Sequence, residues 1–108
     1  MKHITLFVSL LITQLLCAQK LTPEALTSIE LAKHRKVVTQ ALTYNDAHTA
    51  INSMHHIIAL EGDTSTYKDS LAITYYKVGN YISSHLLSKQ LLVTKPNNIQ
   101  LMEINAMS

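Results

Sequence analysis

The sequence predicts an all-α chain, and three observations carry that prediction. Apolar residues recur at three- and four-residue steps from Leu26 onward. The β-branched residues fall within that spacing instead of forming alternating runs. Turn-forming residues at Asn45, Gly62, Gly79 and Pro96 divide the chain into pieces of helical length. Composition narrows the class further. The 108 residues are room for one small domain, and nine Lys plus Arg against seven Asp plus Glu leave a net charge of +2. That charge is too slight to mark a nucleic-acid binder or a polybasic membrane-seeking chain. A single cysteine excludes a disulfide framework.

The first segment reads as an address. Lys2 and His3 precede an apolar run from Ile4 to Leu16, and Cys17-Ala18-Gln19 follows as a small-residue exit. Basic end, apolar stretch and small residue, in that order, are what a secretory signal needs. The run is also shorter than the roughly 20 apolar residues that span a bilayer. Residues 1–18 are therefore expected to be a signal peptide, cleaved after Ala18, and the mature chain to be exported, either periplasmic or secreted. A lipoprotein anchored at Cys17 is the alternative, although Leu16 stands where a lipobox has a small residue. Loss of Lys2 with the signal lowers the net charge to +1 and leaves no cysteine, which removes thiol catalysis and Cys-based zinc sites together.

Residues 19–30 form an N-terminal helix extension in this reading. Thr22-Pro23-Glu24 opens it with a capping hydroxyl, a proline of preset φ and an acid at the positive end of the helix dipole. Leu26, Ile29, Ala32, Val37, Val38, Ala41 and Leu42 give one long amphipathic helix. Asn45 suits a positive φ, and Asp46 is placed to cap a second helix carrying Ala50, Ile51, Met54, Ile57, Ile58 and Leu60. After Glu61-Gly62-Asp63-Thr64 the cycle repeats: a helix around Leu71 to Val78, a turn at Gly79-Asn80, a helix from Tyr81 to Thr94, and a stop at Lys95-Pro96-Asn97-Asn98. A last helix begins at Ile99.

The period matters more than the helices. The step from Asn45 to Gly79 equals the step from Gly62 to Pro96, and both match the helix-turn-helix period of about 34 residues. Within Ser65 to Asn98, Leu71, Ala72, Tyr75, Gly79, Ser84 and Pro96 fall at the places of the L-G-x2-Y, A and P pattern. On these residues the chain resembles the tetratricopeptide repeat family. The first repeat would span 31–64 and the second 65–98; the segment 99–108 would start a third, incomplete repeat or a capping helix, with Met102, Asn105 and Ala106 in the early places. Lys68 and Ser88 depart from the pattern's aromatic places, a gap that Leu87 or Tyr67 can fill. The resemblance implies antiparallel helix-turn-helix repeats stacked as a short right-handed α-solenoid, with Ala72 and Ser84 where two helices approach closely. Two repeats are fewer than usual, and the last segment is apolar on much of its surface, so the chain is expected to belong to a longer array or to be completed by a partner.

Residues that could carry chemistry are sparse. His48, Asn52 and His55 share a helical face at spacing that can hold a metal, but no glutamate or cysteine lies within a turn, and a solvated face explains them as well. His34 and His85 occupy packing places and are expected to be half-buried with a hydrogen-bond partner. Tyr75 and Tyr81 are expected in the core, and Tyr76 in the groove. No Ser-His-Asp order, Gly-rich phosphate loop or HExxH motif is present, so no enzyme and no cofactor are implied.

The resemblance places function in a concave surface lined by the first helix of each repeat. Its lining would be Arg35, Thr39 and Leu42, then Thr66, Asp69, Ile73, Tyr76 and Lys77, then Gln100 and Glu103. Tyr76 beside Ile73 would be the anchor. The expected role is a non-catalytic protein-interaction scaffold in a bacterial cell envelope, with another protein or peptide as partner, self-association of the exposed repeat ends as a further option, and no nucleic acid. Alternatives are a metal- or ligand-binding helical module using His48, His55 and His56, and the regulatory repeat region of a longer protein. One expectation is independent of the fold: the exported protein should begin at Gln19 on N-terminal sequencing, whereas a lipidated product would begin at Cys17.

Overall fold

The computed structural model describes residues 22–108, and the expected signal peptide lies outside them. The described residues form five helices: α1 (Pro23–Thr43), α2 (Ala47–Glu61), α3 (Tyr67–Lys77), α4 (Tyr81–Thr94) and α5 (Ile99–Met107). The chain divides into two units, Met1–Glu30 and Leu31–Ser108. Within the first, Thr22 caps the start of α1: its Oγ1 accepts the Ala25 N–H at 3.2 Å. The helical hairpins lie in the second.

Two turns are built alike. Asn45 (φ 58°) and Gly79 (φ 82°) both take the left-handed conformation that ends a helix. Asn45 N–H donates to the Leu42 carbonyl and Asp46 N–H to that of Ala41, at 3.3 and 2.7 Å. Gly79 N–H donates to the Tyr76 carbonyl and Asn80 N–H to that of Tyr75, at 3.1 and 2.9 Å. The residue after each turn caps the next helix through its side chain: Asp46 accepts from the Thr49 N–H and Asn80 from the Ser83 N–H. Each member of the second set stands one sequence period after its counterpart in the first. Asn98 caps α5 in the same manner, accepting the Leu101 N–H.

The hairpins are held by apolar packing. Val38 and Ala41 of α1 cluster with Ala50, Met54 and Ile57 of α2 and with Leu71 of α3. A second cluster joins Ala72, Leu91, Leu101 and Ile104, so that α5 packs on α3 and α4. Tyr67, Tyr75 and Leu87 fill space beside the first cluster. Where α3 and α4 cross, Ala72 and Ser84 are fully buried, and the Ser84 hydroxyl donates to the Ala72 carbonyl at 2.9 Å. A small apolar residue facing a small hydroxyl lets the backbones approach while leaving no polar group unpaired. Ser88 is also fully buried; its hydroxyl donates to the His85 carbonyl and accepts from the Asn105 amide.

The structure corrects several expectations. Leu42, placed on the apolar stripe of α1, is 46% exposed, and Ala32 is exposed as well, so the buried face is narrower than the stripe and centres on Val38 and Ala41. Tyr81, expected in the core, is 51% exposed and packs edge-on against Tyr76. In α5 the inward residues are Leu101 and Ile104, while Met102 and Ala106 face outward. Among the described residues α5 packs on α3 and α4, and it does so through the side that carries Leu101 and Ile104. The crossing makes a direct prediction: Ala72→Leu should cost about 1–3 kcal/mol through overpacking, while Asn80→Ala should cost about 1 kcal/mol through the lost cap, both read from urea unfolding.

Candidate functional site

A cavity of about 570 Å³ opens where the α1–α2 turn faces α3 and the start of α5. Leu42, Asn45 and Ala47 form one wall, Ser70, Ile73, Thr74 and Lys77 the floor, and Val78 and Gln100 the far side. Ser70, Ile73, Thr74 and Lys77 share one helical face at i, i+3, i+4 and i+7. The Thr74 hydroxyl is satisfied within the helix by the Ser70 carbonyl at 2.7 Å, which leaves the floor apolar at Ile73 and cationic at Lys77.

The expected groove residues divide between this cavity and other surroundings. Leu42, Ile73, Lys77 and Gln100 line it together. Arg35 is instead paired with Glu61 at 3.0 Å, and Asp69 with Lys95 at 2.8 Å. The Thr39 hydroxyl donates to the Arg35 carbonyl within α1. Thr66 is exposed at the start of α3, and Glu103 is exposed on α5. Tyr76 lies a helical step away from the floor, against Tyr81 with ring centroids 5.4 Å apart, and its hydroxyl reaches the Met107 sulfur at 4.0 Å. Ile73 thus faces the cavity without the expected aromatic beside it. Asn45, Ala47, Ser70, Thr74 and Val78 were missed. The four-residue face of α3 was legible as a helical stripe, but which stripe faces the preceding turn depends on how the hairpins pack.

The two ion pairs share one geometry. The sequence separation between Arg35 and Glu61 is the same as that between Asp69 and Lys95, and the second pair lies one period beyond the first. In each, a residue on the first helix of a hairpin meets the residue at or just past the end of the second, and the polarity is reversed between them. Glu61 also accepts the hydroxyl of buried Ser65 at 3.0 Å, tying the end of α2 to the approach to α3.

The histidines do not converge. His34 stacks flat on His56, with centroids 4.7 Å apart and an interplanar angle of 3°. His55 Nε2 is hydrogen-bonded to the Tyr75 hydroxyl at 2.9 Å. His85 is half-buried; its Nδ1 donates to the Asn105 carbonyl at 3.1 Å, and the Asn105 amide donates back to the His85 carbonyl at 3.1 Å. Among the described residues no group of three or more His, Cys, Asp or Glu side chains comes together. His48, Asn52, His55 and Ala59 form the outward stripe of α2, and the same places in α4 are held by Ile82, Leu86, Lys89 and Val93, exposed in their turn.

No family model matches the chain, and no curated protein or solved structure matches it either.

One ionisable group near the cavity is shifted. The Asp46 carboxyl is held below its ordinary value, first by the Thr49 hydroxyl, then by the Thr49 backbone N–H, with a smaller contribution from His48. The hydroxyl contact is 2.6 Å. A carboxyl whose folded pKa is depressed stabilises the fold above its unfolded pKa and loses that contribution as pH falls through the folded value. The melting temperature should therefore drop below about pH 4. The drop should be smaller in Asp46→Asn, which keeps a capping oxygen without the charge, as followed by circular dichroism across an acid series.

Proposed function

We propose that this chain is a non-catalytic protein-interaction module of tetratricopeptide type, exported to a bacterial envelope, which binds an extended peptide or partner helix in the cavity between α1, α3 and α5. The observation that carries the reading is the shared register of the two hairpins. Turn conformation, helix cap and inter-helix ion pair recur at one sequence spacing in both. Recurrence of this kind is how repeat arrays line up equivalent helices along one surface, giving a short right-handed solenoid with first helices side by side. The cavity is mixed in character: Leu42, Ile73 and Val78 offer apolar contact, while Asn45, Lys77 and Gln100 offer hydrogen bonds and one positive charge. Such a lining suits a ligand whose backbone must be satisfied and whose side chains fill small pockets.

The test is site-directed photocrosslinking in the exporting cell. A photoreactive residue at Lys77 should capture a partner, and Ile73→Arg should abolish the capture by placing a second cation on the apolar floor. The same photoreactive residue at Asn52, on the outward stripe of α2, should not capture that partner. Recovery of one set of products from both positions would sink the groove assignment.

A further inference from the structure

The lining of the cavity is one-sided in charge. Lys77 is its single charged residue, and no carboxylate belongs to it. Lys77 makes no ion pair among the described residues, whereas Arg35, Lys68 and Lys95 each hold an acid. Asp46, which stands between Asn45 and Ala47 of the wall, is turned to Thr49 and engaged there through both carboxylate oxygens. The imbalance extends along the chain: between Asp69 and Glu103 stand Lys77, Lys89 and Lys95 and no acid. A ligand that covers the floor takes water from the Lys77 ammonium, and a cation stripped of water without a partner is costly. The cavity therefore asks its occupant for a negative charge.

The floor also fixes where that charge stands. Ile73 and Lys77 are one helical turn apart, about 6 Å along α3. In an extended chain, side chains on one face recur at every second residue, about 6.6 Å apart. An aliphatic side chain over Ile73, between Leu42 and Val78, thus brings the side chain two residues away beside Lys77. Asn45 and Gln100 offer amide groups from opposite sides of the cavity. A helical ligand has its backbone satisfied internally and gives them nothing, while an extended segment presents free N–H and C=O groups.

Two other occupants are set aside by the sequence. Residues 1–21 contain no acid. Among the described residues, the acids that have an aliphatic residue two positions away are Glu24, Glu30, Glu61, Asp69 and Glu103, and all five lie in helices, so a second copy offers no extended segment of this kind.

We propose that the cavity binds an extended segment of another protein in which an aliphatic residue and an aspartate or glutamate stand two positions apart. The aliphatic side chain rests on Ile73, the carboxylate pairs with Lys77, and the backbone passes between Asn45 and Gln100. This rests on the reading of the cavity as the binding surface and narrows it to one pattern of side chains.

The probe is a fluorescently labelled, end-blocked peptide whose central leucine has a glutamate two positions away on each side, titrated into the whole mature chain and followed by anisotropy. One control carries glutamines in place of the glutamates. A second has identical composition with the glutamates moved next to the leucine, which turns them to the opposite face of the extended chain. Saturable binding of the probe is expected, with both controls weaker by about fivefold. Lys77→Glu should invert the preference, so that a peptide with lysines in the glutamate places binds best, and Leu42→Asn should weaken every peptide. Lys77 is exposed and Leu42 is 46% exposed, and unchanged thermal melts would show that both variants keep the fold. Equal binding of the probe and the glutamine control, both weakened by Leu42→Asn, would overturn the acid requirement and leave the cavity as the site. Equal binding of the probe and the rearranged control would reduce the effect to net charge and refute the spacing. Binding that neither variant changes would put the peptide elsewhere and overturn both readings. Absence of saturation at millimolar probe would also overturn the proposal.

Discussion

The close crossing of α3 and α4 at Ala72 and Ser84 is the contact on which the second hairpin depends. Both residues are fully buried, and a hydroxyl-to-carbonyl hydrogen bond of 2.9 Å spans the gap between them. A larger side chain at either place would push the helices apart. Leu91 would then lose its place beside Ala72 in the second cluster, and α5, which seats Leu101 and Ile104 in that same cluster, would lose its floor. The first hairpin solves the same problem with Val38 and Ala50 at the corresponding places. The demand is for small combined volume, and the residue types are free to vary within it.

The ion pairs obey a similar logic with less energy. Arg35 and Lys95 keep their side chains 48% and 40% exposed, so each pair contributes at most about 1 kcal/mol, and less in salt. Stability comes from Met54, Ile57, Leu71 and their neighbours. What the pairs supply is register. Each joins the first helix of a hairpin to the end of the second, away from the tight turn, and so fixes how far one helix slides along the other. Reversal of polarity between the hairpins shows that the geometry requires opposite charges at those two places without choosing which side carries which.

Local chemistry was legible in the sequence, and long-range geometry was not. Asn45, Asp46, Gly79, Asn80 and Pro96 announce the turns because each has a backbone or side-chain property that few residues share, and the helices begin and end beside them. Ser84 was legible as a crossing residue because it falls at the small place of the repeat pattern, in register with Ala72. Tyr81 misled, since an aromatic at the start of a helix has no fixed destination: here it lies at the surface against Tyr76 instead of entering the core. The pairing of Asp69 with Lys95 was hidden by the whole hairpin that separates them along the chain, and so Asp69 was assigned to the groove when its charge is already engaged across the hairpin.

That misassignment explains the rest of the difference at the site. The expected lining followed the first-helix residues around a wide arc, from Thr66 through Tyr76, as though α3 were exposed along its whole outer side. In the structure three parts of its circumference are committed. One side meets the α1–α2 cluster through Leu71, one meets α4 through Ala72, and the edge bearing Tyr76 is occupied by Tyr81 and Met107. What remains free is the narrow face of Ser70, Ile73 and Lys77 beside the Asn45 turn. A helix packed against neighbours on several sides has one stripe left to offer a ligand. The position of that stripe is decided by those neighbours, so a site of this kind becomes readable only once the hairpins are placed against each other.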